Sequence, residues 1–125
     1  MNKFGIIAVL ITLLILGGGA FLATKDNSKP IPTLEPNTYE YFWGDGCPHC
    51  KIVAEFMETW SGKDKVKINK LEVWNNTKNA ALMNERAKVC NIARSEMGVP
   101  LLVTPEGKCL TGDQPIIDLF KSLKL

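Results

Sequence analysis

The sequence predicts an α/β fold: a mixed four-stranded sheet with flanking helices, in the order β-α-β-α-β-β-α, behind an N-terminal transmembrane helix. Three observations predict it. The 125-residue chain begins with an uncharged stretch, Phe4 to Ala23. Beyond a polar, proline-spaced tract, strand-like runs alternate with segments of helical spacing. A turn near Gly107 requires an antiparallel pair late in the chain, whereas the first strands, each followed by a helix, suggest parallel connections.

The opening segment, FGIIAVLITLLILGGGAFLA, holds twenty residues without a charge. At about 1.5 Å per residue a helix of this length spans the roughly 30 Å of a bilayer core. A signal sequence and an uncleaved anchor both fit residues 1–23. Lys3 and the small residues Gly18-Gly19-Ala20 suit a cleaved leader, and the apolar run through Phe21-Leu22-Ala23 suits an anchor. Lys3 and the α-amino group at one end are nearly balanced by Lys25, Lys29 and Asp26 at the other, so flanking charge does not set the orientation. Residues 24–37, with prolines at 30, 32 and 36, read as a semi-extended linker or as an ordered arm of the domain that follows.

The domain proper covers residues 38–125. Thr38 to Trp43 (TYEYFW) is aromatic-rich and strand-like. Pro48 suits the first helical position, and Ile52, Val53, Phe56, Met57 and Trp60 share one face of a helix from about Cys47 to Trp60. Val66 to Trp74 alternates as a second strand. A second helix runs from near Asn79 to Cys90 with Leu82, Met83, Ala87 and Cys90 inward, and Asn91 is suited to end it in the left-handed conformation. Val99 to Val103 is a short apolar strand, Pro105-Glu106-Gly107 a turn, and Lys108 to Thr111 the returning strand. Asp113 and Pro115 open a last helix carrying Ile116, Ile117, Leu119, Phe120 and Leu123. The first two strands and the closing hairpin then close most simply as one mixed sheet with helices on its faces. A formal charge of +2 without any basic block gives no reason to expect nucleic acid as a partner.

The chemistry concentrates in FWGDGCPHCK, residues 42–51, which holds two of the four cysteines and the only histidine. Haem attachment needs a histidine after the second cysteine, and position 51 is lysine. Zinc or copper would find soft ligands in Cys47, Cys50 and His49, but no second C-x-x-C or distant histidine completes a closed site, so no resident metal is expected. For disulfide exchange, Cys47 stands at a helix start, where the helix dipole and unpaired N–H groups favour the thiolate. Cys50 lies one turn deeper, in reach of a mixed disulfide on Cys47. The roles are then unequal: Cys47 attacks and Cys50 resolves. His49 is either a donor or cation beside the Cys47 sulfur, which would make the pair more oxidising, or a solvated histidine on the helix surface.

A strand ending in an aromatic, a C-x-x-C on a helix, and a Val-Pro before an apolar hairpin strand resemble the thioredoxin superfamily, closest in length and order to its glutaredoxin-like members. Cys47-Pro48-His49-Cys50 is similar to the motif of DsbA-type disulfide oxidoreductases. The soluble stretch, YFWGDGCPHCK…MGVPLL…GKCLTGDQPII, resembles the small thioredoxin-like domains found with bacterial vitamin K epoxide reductase homologues. The resemblance implies that Val99-Pro100 is the family's cis-proline pair, facing the cysteines and lending backbone to the bound substrate chain. It also marks a departure: many members carry a buried acid six positions before the first cysteine, where this chain has Tyr41, and Glu40 points to the opposite face.

Cys90 and Cys109 flank the Val99-Pro100 segment. A structural disulfide between them would contribute roughly 3 kcal/mol in the chain-entropy model; a redox relay to the first pair and two buried free thiols are the other readings. An even cysteine count behind an export-type segment places the domain in an oxidising compartment, on the extracytoplasmic side of the cell membrane. The expected function is therefore a membrane-tethered thiol–disulfide oxidoreductase acting on protein thiols through Cys47–Cys50 in the oxidising direction, without a cofactor. By resemblance, a vitamin K epoxide reductase or DsbB type membrane partner recharges it. A metal-binding chaperone or non-catalytic binding module on the same fold is the alternative.

Overall fold

The computed structural model describes residues 2–22 and 30–125, with side chains in the first helix described at residues 3 and 5–13. The chain divides into two compact units, Met1–Pro30 and Ile31–Leu125. In the first, α1 (Lys3–Leu22) is a helix of 20 residues. Among the described residues no helix is long and apolar enough to cross a membrane. Ala23 and the side chains at 14–22, on which the sequence reading of a span or a cleavage site depends, lie outside the described residues, as do positions 24–29 of the proline-spaced segment.

In the second unit the elements follow as β1 (Thr38–Trp43), α2 (Pro48–Thr59), β2 (Lys67–Glu72), α3 (Thr77–Val89), β3 (Leu101–Val103), β4 (Cys109–Thr111) and α4 (Asp113–Ser122). They build one four-stranded sheet in the order β2-β1-β3-β4. β1 runs parallel to β2, with Tyr41 opposite Lys70, and antiparallel to β3, with Tyr41 opposite Leu102. β3 and β4 form the antiparallel hairpin. This is the mixed α/β arrangement expected from the sequence, and it is compatible with a thioredoxin-like fold.

Alternation along β1 separates two cores. Tyr41 joins Val53 and Met57 of α2, Leu102 of β3, and Ile116, Ile117 and Phe120 of α4 on one face of the sheet. Phe42 joins Leu101, Val103, Val73 and Met83 of α3 on the other. Aromatic packing closes the first core at its far end, where the Trp60 and Tyr39 rings lie 5.0 and 5.4 Å from Phe120. Before β1, Leu34 packs against the second core and Glu35 pairs with Lys67 at 2.6 Å, so residues 34 and 35 lie against the sheet.

Several boundaries differ from the sequence reading, each for a local reason. α3 begins at Thr77 rather than near Asn79 because the Asn76 side chain caps it, accepting the N–H groups of Lys78 and Asn79. β3 begins at Leu101 rather than Val99: proline has no N–H to give a ladder, and Val99-Pro100 is a cis peptide just outside the strand. Ile52, expected inward, is 45% exposed. At about 100° per residue it falls at the shoulder of the face centred on Val53, Met57 and Trp60. Asn91 has φ 56°, the left-handed helix end expected of it. On α3 the buried positions are Met83, Ala87 and, unforeseen, Arg86, while Leu82 and Cys90 are half-buried.

Candidate functional site

The cysteine pair sits at the C-terminal end of β1, where the chain turns into α2. The turn depends on two glycines for different reasons. Gly46 has φ 79°, a conformation that side chains rarely adopt. At Gly44 the indole of Trp74 lies against the backbone, and a Cβ there would collide with that ring. The Cys47 N–H then donates to the Gly44 carbonyl at 3.1 Å, closing the turn.

Cys47 is the residue immediately before α2, and its sulfur accepts the N–H of Cys50 at 3.2 Å. Pro48 occupies the first helical position, where no N–H is needed. The structure joins Cys47 and Cys50 as a disulfide, with Cα atoms 5.2 Å apart and both residues buried. From the other side, the Val99 carbonyl oxygen lies 3.8 Å from the Cys47 sulfur. That loop is held by the Pro100 carbonyl, which accepts the N–H of Gly112 at 3.0 Å. The sequence-nominated residues Cys47, Pro48, Cys50, Val99 and Pro100 thus meet at one place. Cys90 and Cys109 are joined elsewhere, with Cα atoms 6.1 Å apart, tying the end of α3 to β4.

His49 is brought to the same end of the domain but faces α4. Its side chain is 67% exposed, and Nδ1 lies 3.3 Å from an Asp113 carboxylate oxygen. The hydrogen bond from His49, aided by the N–H of Gln114, holds the Asp113 carboxyl below its usual range against a smaller opposing effect of burial. Asp113 is a residue the sequence reading used only to start the last helix. A Gly-Asp step opening a helix just after the strand that follows Val-Pro was the available signal.

Beside the disulfide opens a cleft of about 590 Å³. Tyr41, Trp43, Ala54 and Met57 give it apolar walls, Cys47 and Cys50 border it, and Lys51 and Lys70 add positive charge. Tyr41 occupies the position where a buried acid was looked for. Its hydroxyl donates to the Cys50 carbonyl at 3.3 Å, and burial pushes its pKa well above that of ordinary tyrosine. It stays protonated at neutral pH and cannot take a proton from Cys50.

Glu72, also unremarked in the sequence, organises the approach to the site. Its carboxylate accepts the N–H groups of Asn75 at 2.8 Å, Trp74 at 2.9 Å and Asp45 at 3.4 Å. Burial would raise its pKa, but these backbone donors, joined by Asn76, outweigh it and hold the carboxyl below its ordinary value. A depressed folded-state pKa stabilises the fold above the unfolded value and loses that contribution as pH falls through the folded one. Glu72→Gln is therefore expected to have a lower urea midpoint than the parent at pH 7, with the gap closing below about pH 4. A gap that persists unchanged at pH 3 would mean that the carboxylate charge is not what those donors recognise.

Compared with known proteins, the chain matches no family model and no curated protein. What is established is a small α/β domain with a mixed sheet and a C-x-x-C pair at disulfide distance, a combination compatible with thiol–disulfide redox chemistry.

Proposed function

We propose that this chain is a membrane-tethered, extracytoplasmic thiol–disulfide oxidoreductase that oxidises protein dithiols through Cys47–Cys50. The observation that carries the proposal is the placement of a bonded cysteine pair on the first turn of α2, with the Val99 carbonyl against the Cys47 sulfur. In the oxidising direction a substrate thiolate attacks the Cys47 sulfur and the Cys47–Cys50 bond breaks. Cys50 leaves as a thiolate and takes a proton, and the substrate is held by a mixed disulfide to Cys47. A second substrate thiolate then attacks the substrate sulfur of that bond, and Cys47 leaves as a thiolate. The substrate loses two electrons and two protons; the pair takes both electrons, Cys50 takes one proton, and the other goes to solvent while Cys47 stays a thiolate.

The geometry favours Cys47 as leaving group. The Cys50 N–H and the positive end of α2 both stabilise its thiolate. Val99 and Pro100 present backbone to the substrate chain beside the sulfur. The cleft gives water a route to Cys50, which Tyr41 does not serve. Recharging needs a two-electron acceptor, assigned to a membrane partner of vitamin K epoxide reductase or DsbB type that passes the electrons to a quinone. Tethering rests on the uncharged segment Phe4–Ala23, which lies within α1 up to Leu22. The extracytoplasmic side rests on cysteine usage. Cys90–Cys109 is assigned a bracing role, because it ties α3 to the hairpin that follows Pro100.

The test is transfer. The oxidised full chain is mixed with a reduced two-cysteine peptide, and the peptide disulfide is followed by mass. Stoichiometric oxidation with loss of the Cys47–Cys50 bond supports the proposal. No transfer, together with copper or zinc retained after purification, would replace it with a metal-carrier reading. The equilibrium with glutathione fixes the direction: a potential near −120 mV suits an oxidase and one near −270 mV a reductase, to within about 30 mV.

A further inference from the structure

A free histidine between two active-site cysteines would be a simple source of positive charge for the Cys47 thiolate. Here it is not free. Nδ1 of His49 lies 3.3 Å from Asp113 Oδ2, so the ring is tied to the first residue of α4. The same stretch of chain is anchored next to the sulfur, because the Gly112 N–H binds the Pro100 carbonyl and the Val99 carbonyl touches Cys47. The neighbouring cation on α2, Lys51, has its own partner in Glu55 at 3.8 Å.

We propose that Asp113 is a positioning residue that restrains His49 and thereby sets the redox equilibrium of Cys47–Cys50 toward the less oxidising side. The inference rests on the oxidoreductase reading above and adds the residue that tunes it. Charge counting gives the direction. The Asp113 carboxylate neutralises a protonated His49, the side chain that α2 places between the two cysteines, so the pair does not offer Cys47 the unpaired positive charge of a free imidazolium. This makes the reduced, thiolate-bearing form less favourable than the bare C-P-H-C motif implies.

Asp113→Asn keeps a side chain that accepts the imidazole hydrogen and removes the charge. In the full chain, the glutathione equilibrium of Cys47–Cys50 in this variant is expected to move at least threefold toward the dithiol. The Cys47 thiolate, followed by its ultraviolet absorbance, is expected to titrate at lower pH than in the parent. Asp113→Glu restores the charge and should return the equilibrium to within twofold of the parent. In a His49→Ala background the Asp113→Asn shift should fall by more than half, which a merely structural role of Asp113 would not produce.

An unchanged equilibrium in Asp113→Asn overturns the proposal, and so does a shift of equal size with His49 absent. These failures are separable from failure of the oxidoreductase reading. A parent chain that equilibrates with glutathione while Asp113→Asn matches it sinks only this inference, whereas a parent chain that never exchanges sinks both.

Discussion

Cys47→Ser is expected to reduce thiol–disulfide exchange to the uncatalysed background, while Cys50→Ser stops the reaction halfway. The difference comes from the position of each sulfur on α2. Cys47 stands ahead of the helix with the Val99 carbonyl 3.8 Å away, so under the proposed function it is the sulfur a substrate chain would meet. Without it no mixed disulfide forms, and the loss should be on the order of 10³-fold or more, given the effective molarity of a pre-positioned group. Cys50 has the opposite task. Reduced Cys50→Ser, offered a peptide disulfide, should still bond through Cys47 but lacks the neighbouring thiol that resolves the adduct. The checks are adduct mass and a nonreducing gel after acid quench. The unequal roles would be disproved if Cys50→Ser turned over normally, or if the adduct were carried by Cys50 in Cys47→Ser.

Much of this site was legible in the sequence because its signals are local. A strand period, a proline at a helix start and two cysteines one turn apart all act within a few residues. β1 accordingly matches its expected span, Thr38–Trp43, and Cys47 and Cys50 stand at the start of α2, whereas the approach of Val99 to Cys47 across 52 positions was implied only by the resemblance. Alternation along β1 also put Tyr41 and Glu40 on opposite faces of the sheet; Tyr41 joins the core under α2 and α4, and Glu40 pairs with Arg86 of α3.

What was not legible depends on partners far away in the chain. Spacing places His49 near Cys47 but says nothing of the ring's direction, which Asp113 of a different helix decides. Glu72 passed unremarked within the second strand, because the N–H groups it accepts belong to a turn and a loop that only the fold brings together. Arg86 was missed for a related reason. An inward face sought by its apolar residues hides a charged one whose partner lies on another element.

Breaking that partnership is the second large effect expected. Glu40 of β1 and Arg86 of α3 face each other with side chains only 9% and 7% exposed, joined by two hydrogen bonds of 2.7 and 2.9 Å. Two parallel N–H···O bonds satisfy both oxygens and hold the guanidinium in register. Removing one partner leaves the other charged and buried. Glu40→Leu or Arg86→Leu should therefore each cost about 3–5 kcal/mol, a large part of the 5–15 kcal/mol typical of a domain. The double variant Glu40→Leu/Arg86→Leu removes both charges together and should recover most of the loss, a strong non-additivity readable from urea midpoints. Single variants that cost less than about 1 kcal/mol would show that water reaches the pair. The double variant also tests function. Glu40 adjoins Tyr41 in sequence but is committed to Arg86 on the other face of the sheet, so no part in proton transfer is expected of it. A folded double variant should exchange disulfides at the parent rate, and a tenfold drop would return Glu40 to the list of groups that serve Cys50.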